Sequence, residues 1–419
     1  MPPEIAGETT SGINPTSPTG VGTWWDQLLD GLSRVTSSGR YVPIIDGFRF
    51  VAIVAVMLFH ANESLVVSRP ELETPARQTL LFHVLKVGNV GVPLFFAISG
   101  FILALPFLES FKKQKPFSVG KYFLRRLTRL EPPYILNLLL VTLLLIVVKR
   151  EALSELAAPL FASLGYVHNL VYGEMSRINC VAWSLEIEVQ FYILMPVMAW
   201  VILRLPTSAR RMALVGIMLA CVLAKMFLIP QQGGSEVVQR VKMSLLYYFD
   251  HFLVGILLAD VYFTDWISQP KSALHWDAIA AVAWGMIVVS QWRLWSQHLL
   301  VLPMFVAYYA SFRSHFIRQA LSLKWVTVLG GMCYTLYLYH FFVISLVNKF
   351  TIPRLAGFSY GPSLAIEFGL ILPTSVIVAA VLFRLVELPC MKWRPFQSST
   401  ASRSSSSPIH SKSVPELNV

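Results

Sequence analysis

The sequence predicts an all-α polytopic membrane protein built as a bundle of about ten transmembrane helices. Three observations support this fold class. Of the 419 residues, 55% are hydrophobic and only 14% are charged. The mean hydropathy is +0.60, which is higher than a soluble globular chain requires. Apolar runs close to the length of a bilayer crossing recur along the chain, for example from Met212 to Ile229.

Ten apolar segments are predicted to cross the bilayer as helices, with boundaries good to a few residues. They lie at about 43–65, 88–108, 132–148, 182–203, 212–229, 244–263, 276–291, 298–312, 325–348 and 363–387. The segment 156–172 is short and mixed, and it is an alternative extra or re-entrant segment. Residues 41–394 are therefore predicted to form the transmembrane domain.

The two ends of the chain are predicted to be disordered tails. Residues 1–40 are polar, and they lack the apolar run beside basic residues that marks a cleavable signal peptide. Residues 395–419 are Ser-rich and of low complexity. We therefore expect both segments to act as tethers, the first of them in the cytoplasm.

The distribution of basic residues predicts the orientation of the bundle. With both termini in the cytoplasm, 20 Lys and Arg residues lie on the cytoplasmic side and 11 lie outside. This asymmetry favours an N-in, C-in topology. The net charge of +11 then indicates affinity for anionic membrane lipid or an anionic cofactor, and a nucleic-acid partner is not expected for so apolar a chain.

The four cysteines predict neither a disulfide framework nor a metal site. Cys221, Cys333 and Cys390 lie in or beside predicted spans, and Cys180 stands alone outside them. No C-x-x-C pair with metal-ligand spacing occurs. We interpret the cysteines as small apolar packing residues.

The first predicted span, "PIIDGFRFVAIVAVMLFH", carries ionisable residues that lipid disfavours. Arg49 and His60 are eleven residues apart, which is about three helical turns and about 16 Å, so they share nearly the same face. Groups at such depth usually face a cavity or the bundle interior and often serve function. The structural alternative is a core histidine bonded to a neighbouring helix, with Arg49 reaching towards the interface and paired with Asp46.

The second and third spans supply further candidates. Ser99 and Gly100 lie in the middle of the second span, where small residues allow close approach of a ligand or of another helix. Arg125, Arg126 and Arg129 lie at the mouth of the third span. Arg126 and Arg129 are i, i+3 neighbours that could share a polyanionic ligand, whereas the alternative is a positive-inside anchor.

The fourth span begins with "AWSLEIEVQFY", in which Glu186, Glu188 and Gln190 are costly without partners. Glu188 and Tyr192 share one helix face, and Glu186 lies about 200° away from Glu188. We therefore predict that Glu188 is the inward carboxylate. Glu186 is interpreted as a water-facing acidic residue at the helix start.

Two later elements complete the set of intramembrane polar residues. "TLYLYHF" places His340 inside the ninth span. "RLVELP" places Arg384 and Glu387 near the end of the tenth, where we expect the two to pair at i, i+3.

Taken in order, these stretches resemble the motifs of the membrane-bound acyltransferase 3 family, which O-acylates lipopolysaccharide O-antigens, other glycans and macrolide antibiotics. "IDGFRFVAIVAVMLFH" resembles its D-G-x-R opening element, and the resemblance runs from about Tyr41 to Trp393. The other matching stretches are "GVPLFFAISGFI", "FLRRLTRLEPPY", "WSLEIEVQFYILMP", "LYLYHF" and "VELP". Glu186 and Val189 depart from the usual acidic pattern of the fourth span, and we do not expect residues 395–419 to form the soluble esterase-like domain that some members carry.

The resemblance implies an acyl-CoA donor, by family default acetyl-CoA, used as a substrate without a permanently bound cofactor. The implied donor-binding residues are Arg49, Ser99, Arg125, Arg126 and Arg129. His60 would act as general base on the acceptor hydroxyl, or would alternatively carry the acyl group itself. Glu188 would orient this imidazole or bind the acceptor.

The implied acceptor is a hydroxyl-bearing glycan, lipid-linked saccharide, lipid or macrolide sugar. Its supporting residues are expected to be Asp46, Trp183, Gln190, Tyr192 and His340. The implied location is a bacterial inner membrane, with the protein as a multi-pass acyltransferase.

Two other classes of protein stay open at this stage. A transporter or scramblase would use the intramembrane charges as a substrate or proton path, but the inverted repeats typical of such proteins are not evident. A non-enzymatic membrane scaffold would not need Arg49, His60 and Glu188 at membrane depth.

Overall fold

The computed structural model describes residues 23–34, 41–114, 116–230, 233–266, 272–292 and 298–392. Within these ranges the chain is helical and contains no strand, which confirms the predicted all-α fold class. Eight helical segments of the described chain are long and apolar enough to cross a membrane. They are Pro43–Ser68, Leu80–Lys112, Val119–Lys149, Cys180–Ile202, Thr207–Leu228, Glu236–Thr264, Cys333–Arg354 and Tyr360–Lys392. The chain is therefore an integral membrane protein.

The α-helices are numbered in chain order over the described residues. They are α1 Trp24–Gly31, α2 Pro43–Ser68, α3 Glu73–Arg77, α4 Leu80–Lys86, α5 Gly91–Lys112, α6 Val119–Lys149, α7 Leu153–Leu164, α8 His168–Tyr172, α9 Trp183–Ile202, α10 Thr207–Leu228, α11 Glu236–Lys242, α12 Leu245–Thr264, α13 Leu274–Ser290, α14 Val301–Arg313, α15 Phe316–Leu321, α16 Lys324–Gly331, α17 Cys333–Thr351, α18 Tyr360–Leu382 and α19 Leu388–Lys392. A π-helical turn at Phe383–Glu387 joins α18 to α19.

The other two predicted spans correspond to the shorter helices α13 and α14, of 17 and 13 residues. The ambiguous segment 156–172 forms the short helices α7 and α8. The exact number of crossings and the N-in, C-in orientation stay predictions.

The predicted disordered tail at residues 1–40 is wrong for residues 23–34. Those residues include α1, which is fixed to the bundle because Lys324 forms ion pairs with Asp26 and Asp30. The predicted tail at 395–419 lies outside the described residues.

Glycines bring the central helices into close contact. A Cβ atom added at Gly100 of α5 would collide with the carbonyl oxygen of Phe252 in α12, and one at Gly255 would collide with that of Ala97. A Cβ at Gly330 of α16 would likewise meet the backbone of α2. Gly100 therefore serves helix packing, and these contacts set the separation of α5 from α12 and of α2 from α16.

Candidate active site

A pocket with an empty volume of about 750 Å³ opens among α2, α5, α6, α9 and α17. Six residues that the sequence predicted as site residues line it: Arg49, Ser99, Arg126, Arg129, Glu188 and Tyr192. The structure thus brings together polar groups from four separate motifs.

Asp46 joins two arginines at one end of this pocket. Its carboxylate is fully buried and accepts from Arg49 Nη1 at 2.9 Å and from Arg34 Nε at 2.8 Å. The pairing of Arg49 with Asp46, which the structural alternative predicted, is present. Arg49 does not reach out to the membrane interface, because it is buried in the pocket wall.

Arg126 and Arg129 bring two positive charges to the pocket wall, and Glu387 forms an ion pair with only the second of them. The guanidinium of Arg126 lies 5.7 Å from the ring centroid of Tyr192, and within the described chain it forms no ion pair. Arg129 Nε is 3.8 Å from a carboxylate oxygen of Glu387, too far for a hydrogen bond, and has no hydrogen-bond partner among the described residues. The unpartnered Nε of Arg129 and the charge of the neighbouring Arg126 favour binding of an anion in this pocket.

Two sequence interpretations fail near these arginines. Arg125 is exposed, donates from Nε to the Lys121 carbonyl at 3.1 Å, and lies outside the pocket. Helix periodicity explains this, since Arg125 and Arg126 point about 100° apart. Arg384 does not pair with Glu387, because it donates to the carbonyl of Gly31 at 2.7 Å while Glu387 faces Arg129.

Glu188 is the carboxylate of α9 that faces the pocket, and it accepts hydrogen bonds from the hydroxyl groups of Ser99 and Tyr192. Glu186 was predicted to face water, but it is buried and accepts from the backbone N–H of Asn169 at 2.8 Å. The reason is that α8 and the loop after it fold back over the start of α9.

Trp183 and Gln190 lie on the side of α9 that faces α12, away from the pocket. The Trp183 ring lies 5.5 Å from that of Tyr248. Gln190 Oε1 accepts from the backbone N–H of Leu245 at 3.1 Å, which satisfies a free donor at the start of α12. Both residues thus support the scaffold, and neither lines the pocket predicted to hold the substrates.

His60 lies beyond the pocket and pairs with His340. His60 Nδ1 is 3.2 Å from His340 Nε2, while His340 Nδ1 is 2.7 Å from the carbonyl oxygen of Tyr337 and 3.2 Å from that of Leu336. Carbonyl oxygens only accept, so the network assigns a proton to His340 Nδ1 in the neutral ring. His340 Nε2 then accepts from His60 Nδ1–H, which leaves His60 Nε2 with a free lone pair.

Tyr337 connects the pocket to this histidine pair. It lines the pocket, and its ring centroid is 5.8 Å from that of His340. Its hydroxyl donates to the Val181 carbonyl at 2.6 Å and lies 2.7 Å from Ser184 Oγ. Sequence reasoning missed Tyr337, although its position three residues before His340, on the same helix face, is a signal that could have identified it.

Comparisons with known proteins give a family match over most of the chain. The profile of the acyltransferase 3 family, described as an acyltransferase domain, matches residues 42–384. The peptidoglycan O-acetyltransferase OatA of Listeria monocytogenes is 25% identical over 387 residues, which cover 85% of this chain and 56% of that protein. The O-acetyltransferase OatA of Staphylococcus aureus is 23% identical over 378 residues, which cover 85% of this chain and 58% of that protein. The chain spans less than three fifths of the length of these two relatives, and no solved structure matches it.

Proposed function

This chain belongs to the acyltransferase 3 family, and we propose that it is a membrane O-acetyltransferase that moves an acetyl group from acetyl-CoA to a hydroxyl group of a sugar-containing acceptor. The names of its relatives support transfer to oxygen. One observation carries the proposal: Tyr337 lines the arginine-rich pocket, and its ring lies 5.8 Å from that of His340, the partner of a His60 whose Nε2 is free to take a proton.

The donor would bind with its phosphates at the arginine end of the pocket. Arg129 Nε is buried without a hydrogen-bond partner in the described chain, and Arg126 and Arg49 lie in the same wall. Guanidinium groups bind phosphate through paired, charge-assisted hydrogen bonds. The pantetheine arm would extend along the apolar wall formed by Phe95 and Ile102 towards Tyr337.

The chemical step then uses His60 as general base. Nε2 of His60 takes the proton of the acceptor hydroxyl as that oxygen attacks the thioester carbonyl carbon. The carbon–sulfur bond breaks, the CoA thiolate leaves, and it receives the proton from the imidazolium. His340 keeps the reactive nitrogen of His60 unprotonated before the reaction and accepts from Nδ1–H of the imidazolium during it.

Glu188 has a supporting part in this mechanism. Since it holds the hydroxyl groups of Ser99 and Tyr192, it shapes the pocket wall beside Arg126. The orientation of the His60 ring comes from His340 instead.

The test uses the purified full chain in proteoliposomes with [14C]acetyl-CoA and chitotetraose or isolated peptidoglycan glycan strands as acceptor. We expect base-labile label on an acceptor with the wild type and with His275→Ala, which alters an exposed histidine away from the pocket. We expect no label with His60→Ala. Transfer by His60→Ala at the wild-type rate, or failure of the folded wild type to consume acetyl-CoA, would overturn the proposal.

A further inference from the structure

Helix α1 is docked onto the same end of the bundle as the arginines of the pocket. Leu29 of α1 is buried in a cluster with Met332 and Phe383. Arg384 donates to the carbonyl of Gly31 at 2.7 Å, at the end of the helix. The first residues after α1 are thereby held next to α16 and α2.

Arg34 extends from this docked segment to the fully buried carboxylate of Asp46. Its aliphatic stem lies over Gly331, where a Cβ atom would be 3.5 Å from Arg34 Cδ. Its guanidinium donates to one oxygen of Asp46 at 2.8 Å, and its side chain is 14% exposed. Arg49 occupies the other oxygen of Asp46 at 2.9 Å.

This arrangement leaves a net positive charge where the pocket begins. Asp46 carries one negative charge and is shared by Arg34 and Arg49, so the three groups together carry +1. Burial and the nearby Arg49 lower the pKa of Arg34 to about 10. Arg129 also lowers this pKa, whereas Asp46 raises it. Tyr41 also faces this guanidinium. Arg34 is therefore still charged at neutral pH.

We propose that Arg34, held by α1, is a positioning residue of the donor site. Arg34 binds one oxygen of Asp46, so the charge of Asp46 is divided between Arg34 and Arg49. Arg49 thereby retains positive charge for a phosphate ester or diphosphate, such as the nucleotide part of a CoA thioester. The inference rests on the proposed function, since it assigns that donor to the pocket. Without Arg34, Asp46 would neutralise Arg49 alone and the group of three would lose its net charge.

A structural role for Arg34, limited to pinning α1, makes a different prediction from this charge effect. Arg34→Gln lowers the charge of the group from +1 to 0, and the double change Arg34→Gln with Asp46→Asn restores +1. If charge is what matters, the double variant recovers affinity for the donor. If Arg34 only pins α1, the second substitution brings no recovery.

The experiment measures binding of 3′,5′-ADP and of CoA to the purified full chain in detergent by isothermal titration calorimetry. We expect Arg34→Gln to weaken binding about tenfold, the order of effect of one unit charge near a buried anion. We expect Arg34→Lys to stay within about threefold of the wild type, and the double variant to recover most of the loss. Arg77→Gln is the matched control, since it removes a guanidinium from an exposed ion pair with Glu73 elsewhere.

The outcomes separate this inference from the proposed function. Equal binding by the wild type and Arg34→Gln overturns the inference and leaves the donor pocket intact. A loss in Arg34→Lys as large as in Arg34→Gln also overturns it, and this variant decides the matter if the double variant does not fold. Failure of the folded wild type to bind either ligand overturns the proposed function itself.

Discussion

Replacing His340 tests the assignment of protons in the histidine pair. His340→Phe fills a similar volume but removes the acceptor 3.2 Å from His60 Nδ1. The Nδ1–H of His60 then loses its partner, and the loss of a buried hydrogen bond costs about 1–3 kcal/mol. If the lost hydrogen bond destabilises the tautomer of His60 that carries its proton on Nδ1, kcat decreases by about 5- to 150-fold. Affinity for CoA should not change, because the arginines of the pocket are untouched.

His340→Gln provides the graded comparison, since the amide oxygen of Gln can occupy the place of Nε2 and accept the same hydrogen bond. Acetyl-CoA turnover should decrease in the order wild type, His340→Gln, His340→Phe, while calorimetric affinity for CoA stays constant. His275→Phe controls for loss of a histidine in an exposed position. Full turnover by His340→Phe would refute the role of His340, and an equal loss of CoA binding would mean that the fold is damaged.

Three further predictions concern donor affinity and packing. Arg126→Ala should weaken CoA binding, measured by calorimetry, by about 10- to 150-fold, which corresponds to the loss of one charge-assisted hydrogen bond. Replacement of its exposed neighbour, Arg125→Ala, should change the affinity for CoA less than about twofold. Affinity for 3′,5′-ADP should decrease as the pH rises through about 10, because Arg34 then loses its proton, and Arg34→Gln should lack this part of the pH dependence. Gly255→Ala should destabilise the protein by about 1–3 kcal/mol because its Cβ meets the backbone of α5, whereas Gly285→Ala, where a Cβ meets nothing within 4 Å, should not lower the melting temperature in detergent.

Much of the site could be predicted because helix periodicity and the cost of buried charge act locally. Glu188 and Tyr192 share one face of α9, so spacing alone places this pair. Spacing also predicted Arg49 and His60 on one face of α2, but of these two only Arg49 lines the pocket. Of the two adjacent small residues in α5, Gly100 packs against α12 and Ser99 lines the pocket. Both of the roles that the sequence allowed for this pair therefore occur.

The missed features depend on contacts between segments far apart in sequence. Glu186 gains its partner from α8, and Glu387 faces Arg129 across the bundle, which no helix period reveals. The polar composition of residues 1–40 as a whole concealed a short amphipathic stretch, in which Trp25, Leu28, Leu29 and Leu32 recur at helical spacing. Helix α1 docks because a separate cluster of apolar residues receives Leu29. Arg34 therefore gave no signal in the sequence beyond its charge.

The most direct test of the account compares binding and turnover of acetyl-CoA by the wild type, Arg126→Ala and His60→Ala, each purified in detergent and shown to be folded. Calorimetry gives the affinity, and release of free CoA thiol gives the slow hydrolysis. We predict that Arg126→Ala loses affinity, and that His60→Ala binds like the wild type but releases no thiol. Thiol release by His60→Ala at the wild-type rate, or unchanged affinity in Arg126→Ala, would contradict the account.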